Sequence, residues 1–157
     1  MEKMTSLLVV NLHGLINTPA EARTTLIELG IGKRFAATVV VDDPSTMGAL
    51  RLCKEYVAWS KVDADFVAAL LKAKGRVSSS KKLDDESLKS MGFKNHSDLA
   101  SKIIKEGSTL SSIHGIKPYI GLSPPRGGFK RSSRRQYRQG GILGENPTLP
   151  DIVRRMM

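Results

Sequence analysis

Cysteine is nearly missing from this chain of 157 residues, where Cys53 is the only one. That excludes an internal disulfide and any zinc cage built on thiolates, and it suits a reducing compartment. Aromatic residues make up only 5%, and the first strand candidate reads LLVV, so a sheet that stacks RNA bases on exposed rings is not available. The apolar run Leu7 to Leu12 is too short for a signal-peptide core or a membrane span, which places the protein in the cytoplasm. Catalytic signatures are missing too. His13, His96 and His114 are scattered with no HExxH spacing, and there is no Walker loop. Gly30-Ile31-Gly32 lacks the third glycine of a dinucleotide fingerprint and follows a helix pattern, the wrong context. Cys53, among Leu50, Leu52 and Val57, reads as a buried thiol, and Asp42-Asp43-Pro44 is explained by helix capping. These absences exclude an enzyme, a cofactor, a metal site and a small-molecule substrate.

One further absence is local. Residues 107 to 144 contain no acid but seven basic residues, which supply most of the net charge of +10. Six of the seven lie in PPRGGFKRSSRRQYRQGG, residues 124 to 141. The rest of the chain has an ordinary mixed-charge surface, so one segment is a concentrated cation and its natural partner is a polyanion. A membrane surface fits poorly, because the run has neither an amphipathic apolar face nor a lipidation motif. What remains is a globular composition, 40% hydrophobic with a mean hydropathy of −0.20. A chain of this length buries roughly 68–70% of its unfolded surface.

The apolar spacing predicts an α+β fold. Thr5 to Leu12 reads as a central strand. Thr18 is the expected N-cap of a first helix with Pro19 at its start, Glu21 closing a capping box and Gly30 ending it. Phe35 to Val41 is a second strand. Asp43-Pro44 opens a second helix with Met47 and Leu50 inward, and Tyr56 to Ser60 is a third strand that overlaps its end. This β-α-β-α-β order favours a split, ferredoxin-like arrangement. Beyond Val62 the pattern turns helical: Asp63 to Lys74, a linker at Gly75 to Lys82, Asp84 to Met91, and a helix capped by Ser97 that runs to Gly107. Lys117 to Leu122 is a candidate added strand, and Thr148 to Met156 a closing helix. Three regions follow: a core domain over 1–62, a helical appendage over 63–116, and an extended basic segment with its closing helix over 117–157.

The basic ribbon has the chemistry of a phosphate binder. Pro124-Pro125 holds the chain extended. Arg126 offers a planar fork, and Gly127-Gly128 lets the backbone approach a ligand. Phe129 and Tyr137 can stack on unpaired bases, between Lys130, Arg131, Arg134, Arg135 and Arg138. With so little apolar content, the ribbon is expected to order only when phosphates neutralise it. Contact with about five phosphates implies a log–log salt slope near about −3.5. Gly48, in mid-helix, is explained equally by close packing on the sheet and by close approach of RNA.

Residues 6 to 60, with INTPAEARTTLIELGI and TVVVDDPSTMGALRLCKEYVAW, resemble the L-thirty family of large-subunit ribosomal proteins. LSPPRGGFK, GGILG and the terminal IVRRMM are similar to its longer archaeal and eukaryotic form, and the lack of a long basic N-terminal extension favours the archaeal one. The resemblance implies a small three-stranded antiparallel sheet with two helices on one face, and a structural, non-catalytic role in the large ribosomal subunit. Its partners would be large-subunit ribosomal RNA and neighbouring ribosomal proteins. By family position, the implied RNA contacts are His13 and Gly14 after strand one, Lys33 and Arg34 before strand two, Lys54 on helix two, and the ribbon itself. His13 stands where the family often has Arg, which weakens a phosphate contact there. A free-standing RNA-binding module, such as a chaperone or translational regulator, is the alternative.

Overall fold

A computed structural model describes residues 6–78, 80–107, 109–113 and 115–157. Thr5 of the expected first strand, Ser79 of the linker and His114 lie outside the described residues.

Strand β1 (Ser6–Asn11) is buried along its whole length. It lies between β2 (Ala36–Val41) and β3 (Val57–Val62) and runs antiparallel to both. Because strand side chains alternate, Leu7 and Val9 join one core cluster while Leu8 and Val10 join the other. Helices α1 (Ala20–Glu28) and α2 (Pro44–Leu52) cover the Leu7 face through Ala22, Leu26 and Leu50. The Leu8 face is covered by α3 (Ala64–Lys74), α5 (His96–Lys105) and α6 (Leu149–Met156), with the short α4 (Asp85–Ser90) adding Leu88. Each Leu or Val so enclosed contributes about 1.5–3 kcal/mol. This two-sided burial explains why β1 is apolar without alternation.

The fold is mixed α+β, but its sheet is larger than the three strands expected. Among the described residues it has six, in the order β4-β2-β1-β3-β6-β5. Strand β4 (Ile120–Gly121) pairs antiparallel with β2 at one edge. At the other edge β6 (Gly141–Glu145) pairs parallel with β3, and β5 (Ser132–Gln136) lies outermost on β6. The β5–β6 pairing is two residue pairs that bracket a register shift, not a continuous ladder. The C-terminal third therefore returns to both edges of the core, a non-local pairing that the periodicity of short segments does not encode.

Local signals mostly act as expected. Asp43 caps α2 by accepting from the Thr46 amide at 2.6 Å, and Asp63 and Asp84 cap α3 and α4 in the same way. Two caps differ. Thr18 does not cap α1; its hydroxyl donates to the Gly14 carbonyl at 3.2 Å, so it ties the preceding loop and Glu21 closes no capping box. Asn95, not Ser97, caps α5, accepting from Asp98 at 2.9 Å. The Asn95 carboxamide takes the Asp98 amide and starts the helix at His96, so Ser97 already lies inside the first turn. The overlap between α2 and β3 resolves at Leu52, after which four residues turn into Val57. Gly48 is exposed, and nothing lies within 4 Å of where its Cβ would be. Packing against the sheet is therefore not its reason.

Candidate nucleic-acid interface

The interface is organised by a residue inside the core. Asn11 is fully buried at the end of β1. Its amide donates to the Ile31 carbonyl at 2.7 Å, and its Oδ1 accepts from the backbone N–H groups of His13 at 3.1 Å and Gly14 at 2.9 Å. One side chain thus shapes the loop after β1 and fastens it to the turn before β2. Gly14, at φ +92°, passes close to Arg34: a Cβ there would lie 3.6 Å from that of Arg34. His13 donates Nε2–H to the Ile16 carbonyl at 2.9 Å and lies 5.2 Å from the Tyr56 ring. The Arg34 guanidinium sits 4.8 Å from the Phe35 ring.

The ribbon, residues 124–141, is clamped at both ends. The Arg126 amide donates to the Arg155 carbonyl, and Arg155 Nη1 donates back to the Gly128 carbonyl at 2.7 Å. Gly127 and Gly128 both take φ +75° in this turn. Phe129 is not free to stack on bases; it packs against the core and faces Phe35 at 6.1 Å between centroids. Further on, Arg131 lies 4.5 Å from the Tyr137 ring and donates to its carbonyl, so Tyr137 is partly covered by the ribbon's own cation. Gln136 donates to the Lys54 carbonyl at 2.8 Å, binding β5 to the turn after α2. Lys54 stands in that turn and not on the helix expected to carry it, because α2 ends at Leu52. A Cβ at Gly141 would run into the Arg135 carbonyl, so the ribbon lies against β6 at a distance only glycine permits.

Between these clamps Arg126, Lys130, Arg131, Arg134, Arg135 and Arg138 are all exposed. The ion pairs recorded among the described residues are Lys61–Asp42, His96–Asp85 and Arg154–Asp151, and none involves a ribbon cation. The ribbon's charge faces outward, with no ion pair to an acid among the described residues.

A cleft of about 550 Å³ joins the two halves of the site. Its walls include His13, Arg34, Glu55 and Tyr56 from the body and Arg134, Gln136 and Gln139 from the ribbon, two guanidiniums against one carboxylate. Three of the residues expected to touch RNA, distant in sequence, therefore share one concavity. The others divide. Lys33 turns toward Tyr119, with its ammonium 5.8 Å from the ring centroid, away from its neighbour Arg34. Lys54 lines a second groove with Arg51 and Arg138. Arg126, Gly127 and Gly128 form the ribbon's clamped start, and Lys130, Arg131 and Arg135 stand outside the cleft.

Sequence reasoning missed Asn11 and Arg155. The signal for Asn11 was a polar residue closing an apolar strand. Arg155, in the last turn of the closing helix, is favourable to its dipole in any case, and only its place in space shows it holding the ribbon. Cys53 is buried, its thiol donating to the Ala49 carbonyl, and burial pushes its pKa up to about 11, a value unsuited to a nucleophile.

Comparison with known proteins converges. The family described as Ribosomal protein L30p/L7e matches residues 7–57. Proteins named Large ribosomal subunit protein uL30 match nearly the whole chain. The one from Nitrosopumilus maritimus is 36% identical over 152 residues, covering 97% of this chain and 98% of its own. That of Cenarchaeum symbiosum is 37% identical over 150 residues, with 96% and 97% covered. That of Korarchaeum cryptofilum is 32% identical over 159 residues, with 100% and 98% covered.

Proposed function

Since this chain belongs to the Ribosomal protein L30p/L7e family, it is a structural, non-catalytic constituent of the large ribosomal subunit, and we propose that it grips ribosomal RNA by closing the cleft between body and ribbon on the phosphate backbone. Its partners are large-subunit ribosomal RNA and the adjoining ribosomal proteins. The observation that carries the grip is the meeting of Arg34 and Arg134 in one cleft. Two guanidiniums from separate elements hold a phosphodiester bidentately, and the intervening loop fixes where the strand must run. His13 and Gly14 at the rim, Lys54 beside Arg138, and Arg126, Gly127, Gly128, Lys130, Arg131 and Arg135 along the ribbon extend the contact to successive phosphates. Lys33 reaches RNA from the opposite edge of the sheet.

The same proposal divides the chain by task. Residues 1–62 form a ferredoxin-like core, 63–116 a helical appendage that thickens its far face, and 117–157 the RNA-binding segment with its closing helix. The antiparallel placement of β1 between β2 and β3, with α1 and α2 on one face, supports this division.

The test is reconstitution of large subunits with the Arg34→Gln, Arg134→Gln double variant, followed by a raised-salt wash. The variant should be stripped at a salt concentration that the unaltered chain survives. Equal retention of the two would refute the grip.

A further inference from the structure

Trp59 is the chain's only tryptophan, and its environment is unusual. It sits in β3 and is 6% exposed, yet its indole Nε1 has no hydrogen-bond partner among the described residues. Buried indole N–H groups usually find an acceptor, and an unpaired one calls for an explanation. The indole lines a trough of about 570 Å³ and the groove of about 330 Å³ beside it. Both have Tyr137 and Arg138 of the ribbon as a wall, and Glu145 of β6, the cross-strand partner of Trp59, at the rim.

The composition of the trough separates two ligands. Leu7, Met47 and Trp59 make an apolar and aromatic floor; Asp42, ion-paired with Lys61 at 4.0 Å, and Glu145 face the same space, with Arg138 in the wall. Carboxylates repel phosphate, but they accept hydrogen bonds from the amino groups of nucleobases. The cations Arg51, Lys54 and Arg138 stand together in the adjoining groove, where a backbone would pass. The arrangement sets carboxylate acceptors and a ring together, with cations in the wall and in the adjoining groove, as a flipped-out nucleotide requires.

We propose that the Trp59 trough is a pocket for one unstacked, amino-bearing nucleobase of the bound RNA, which slides between the indole and the Tyr137 ring as Arg138 moves aside and offers the Nε1–H its missing acceptor. The proposal rests on the phosphate grip described above, and adds to it a site that distinguishes a base from its backbone.

The lone tryptophan makes this measurable. The full chain is titrated with a short cytidine-only RNA oligomer and with a base-free ribose-phosphate oligomer of equal length. Trp59 emission is followed alongside anisotropy of the labelled oligomer. The cytidine oligomer should change the emission saturably, and the base-free one should bind without doing so. In Trp59→Phe, checked by thermal melting, the cytidine oligomer should bind more weakly and the base-free one equally well. If that variant does not fold, Tyr137→Ala on the ribbon should weaken the cytidine oligomer alone, by about tenfold for a lost stacking wall. Binding of the cytidine oligomer with unchanged emission, or equal emission changes from both oligomers, overturns the base pocket and leaves the phosphate grip standing. Failure of both oligomers to bind overturns the grip and the pocket together.

Discussion

At the scale of single residues, two positions give direct measurements. Gly48 lies on the exposed side of α2, with nothing near enough to forbid a side chain. Gly48→Ala should therefore stabilise the free protein by about 1 kcal/mol, a rise of about 3 °C in Tm for a chain of this size. If the same variant is incorporated less well into large subunits, close approach by a neighbour is the reason glycine stands there. Asp43 is the second. Hydrogen bonds from the Thr46 amide and hydroxyl hold its carboxyl below the usual 3.8. A carboxyl depressed in the folded state contributes stability above its ordinary pKa, and that contribution is lost as pH falls through the depressed value. Asp43→Asn keeps a good cap but does not titrate, so the acid decline of Tm below about pH 4 should be shallower. The check is a series of thermal melts against pH. Asp84, held low by the Ser87 amide, contributes to the same limb and keeps part of the slope in the variant.

At the scale of elements, the closing helix and the ribbon depend on each other. Helix α6 buries Leu149, Ile152, Val153 and Met156 in the larger core cluster, and its Arg155 pins the ribbon's first turn. Ile152→Ala should cost about 3 kcal/mol, read as a lowered urea midpoint with little change in slope. The ribbon itself has few internal bonds: its pairing to β6 breaks register, and its cations all face water. In the free protein, amides from Phe129 to Arg138 should exchange rapidly while that of Arg126, held by the Arg155 carbonyl, is slower, and RNA should slow them all. Strong protection without RNA would show a ribbon rigid in its own right. Most of the helices were legible in the sequence because their capping residues and apolar stripes are local. The exceptions, Thr18 and Ser97, are places where a competing side chain or a nearby carbonyl took the bond.

For the whole molecule, the charge distribution sets how RNA binding responds to salt. The ribbon carries its cations at one end of the sheet, and none is ion-paired with an acid among the described residues. Each cation that touches a phosphate of single-stranded RNA adds about 0.7 to the log–log salt slope. Arg134→Gln should reduce the slope by about that amount. Arg154→Gln should leave it unchanged, because Arg154 lies over the Phe66 ring and beside Asp151. Filter binding across a salt series measures both. A slope insensitive to Arg134 would mean that the cleft does not hold a phosphate.

The order of strands and helices through residue 107, the buried β1 and the exposed cation run were all determined by the sequence, because hydrophobic period, caps and charge act over a few residues. Which faces and edges those elements share was decided only by the tertiary structure. Ile120 returning to β2, Gly141–Glu145 joining β3, and Arg34 meeting Arg134 are contacts between distant parts of the chain, formed when burial of two apolar faces outweighs the entropy of closing long loops. That cooperative step has no signature in any single segment, and it is the step that turns a basic run into one wall of a cleft.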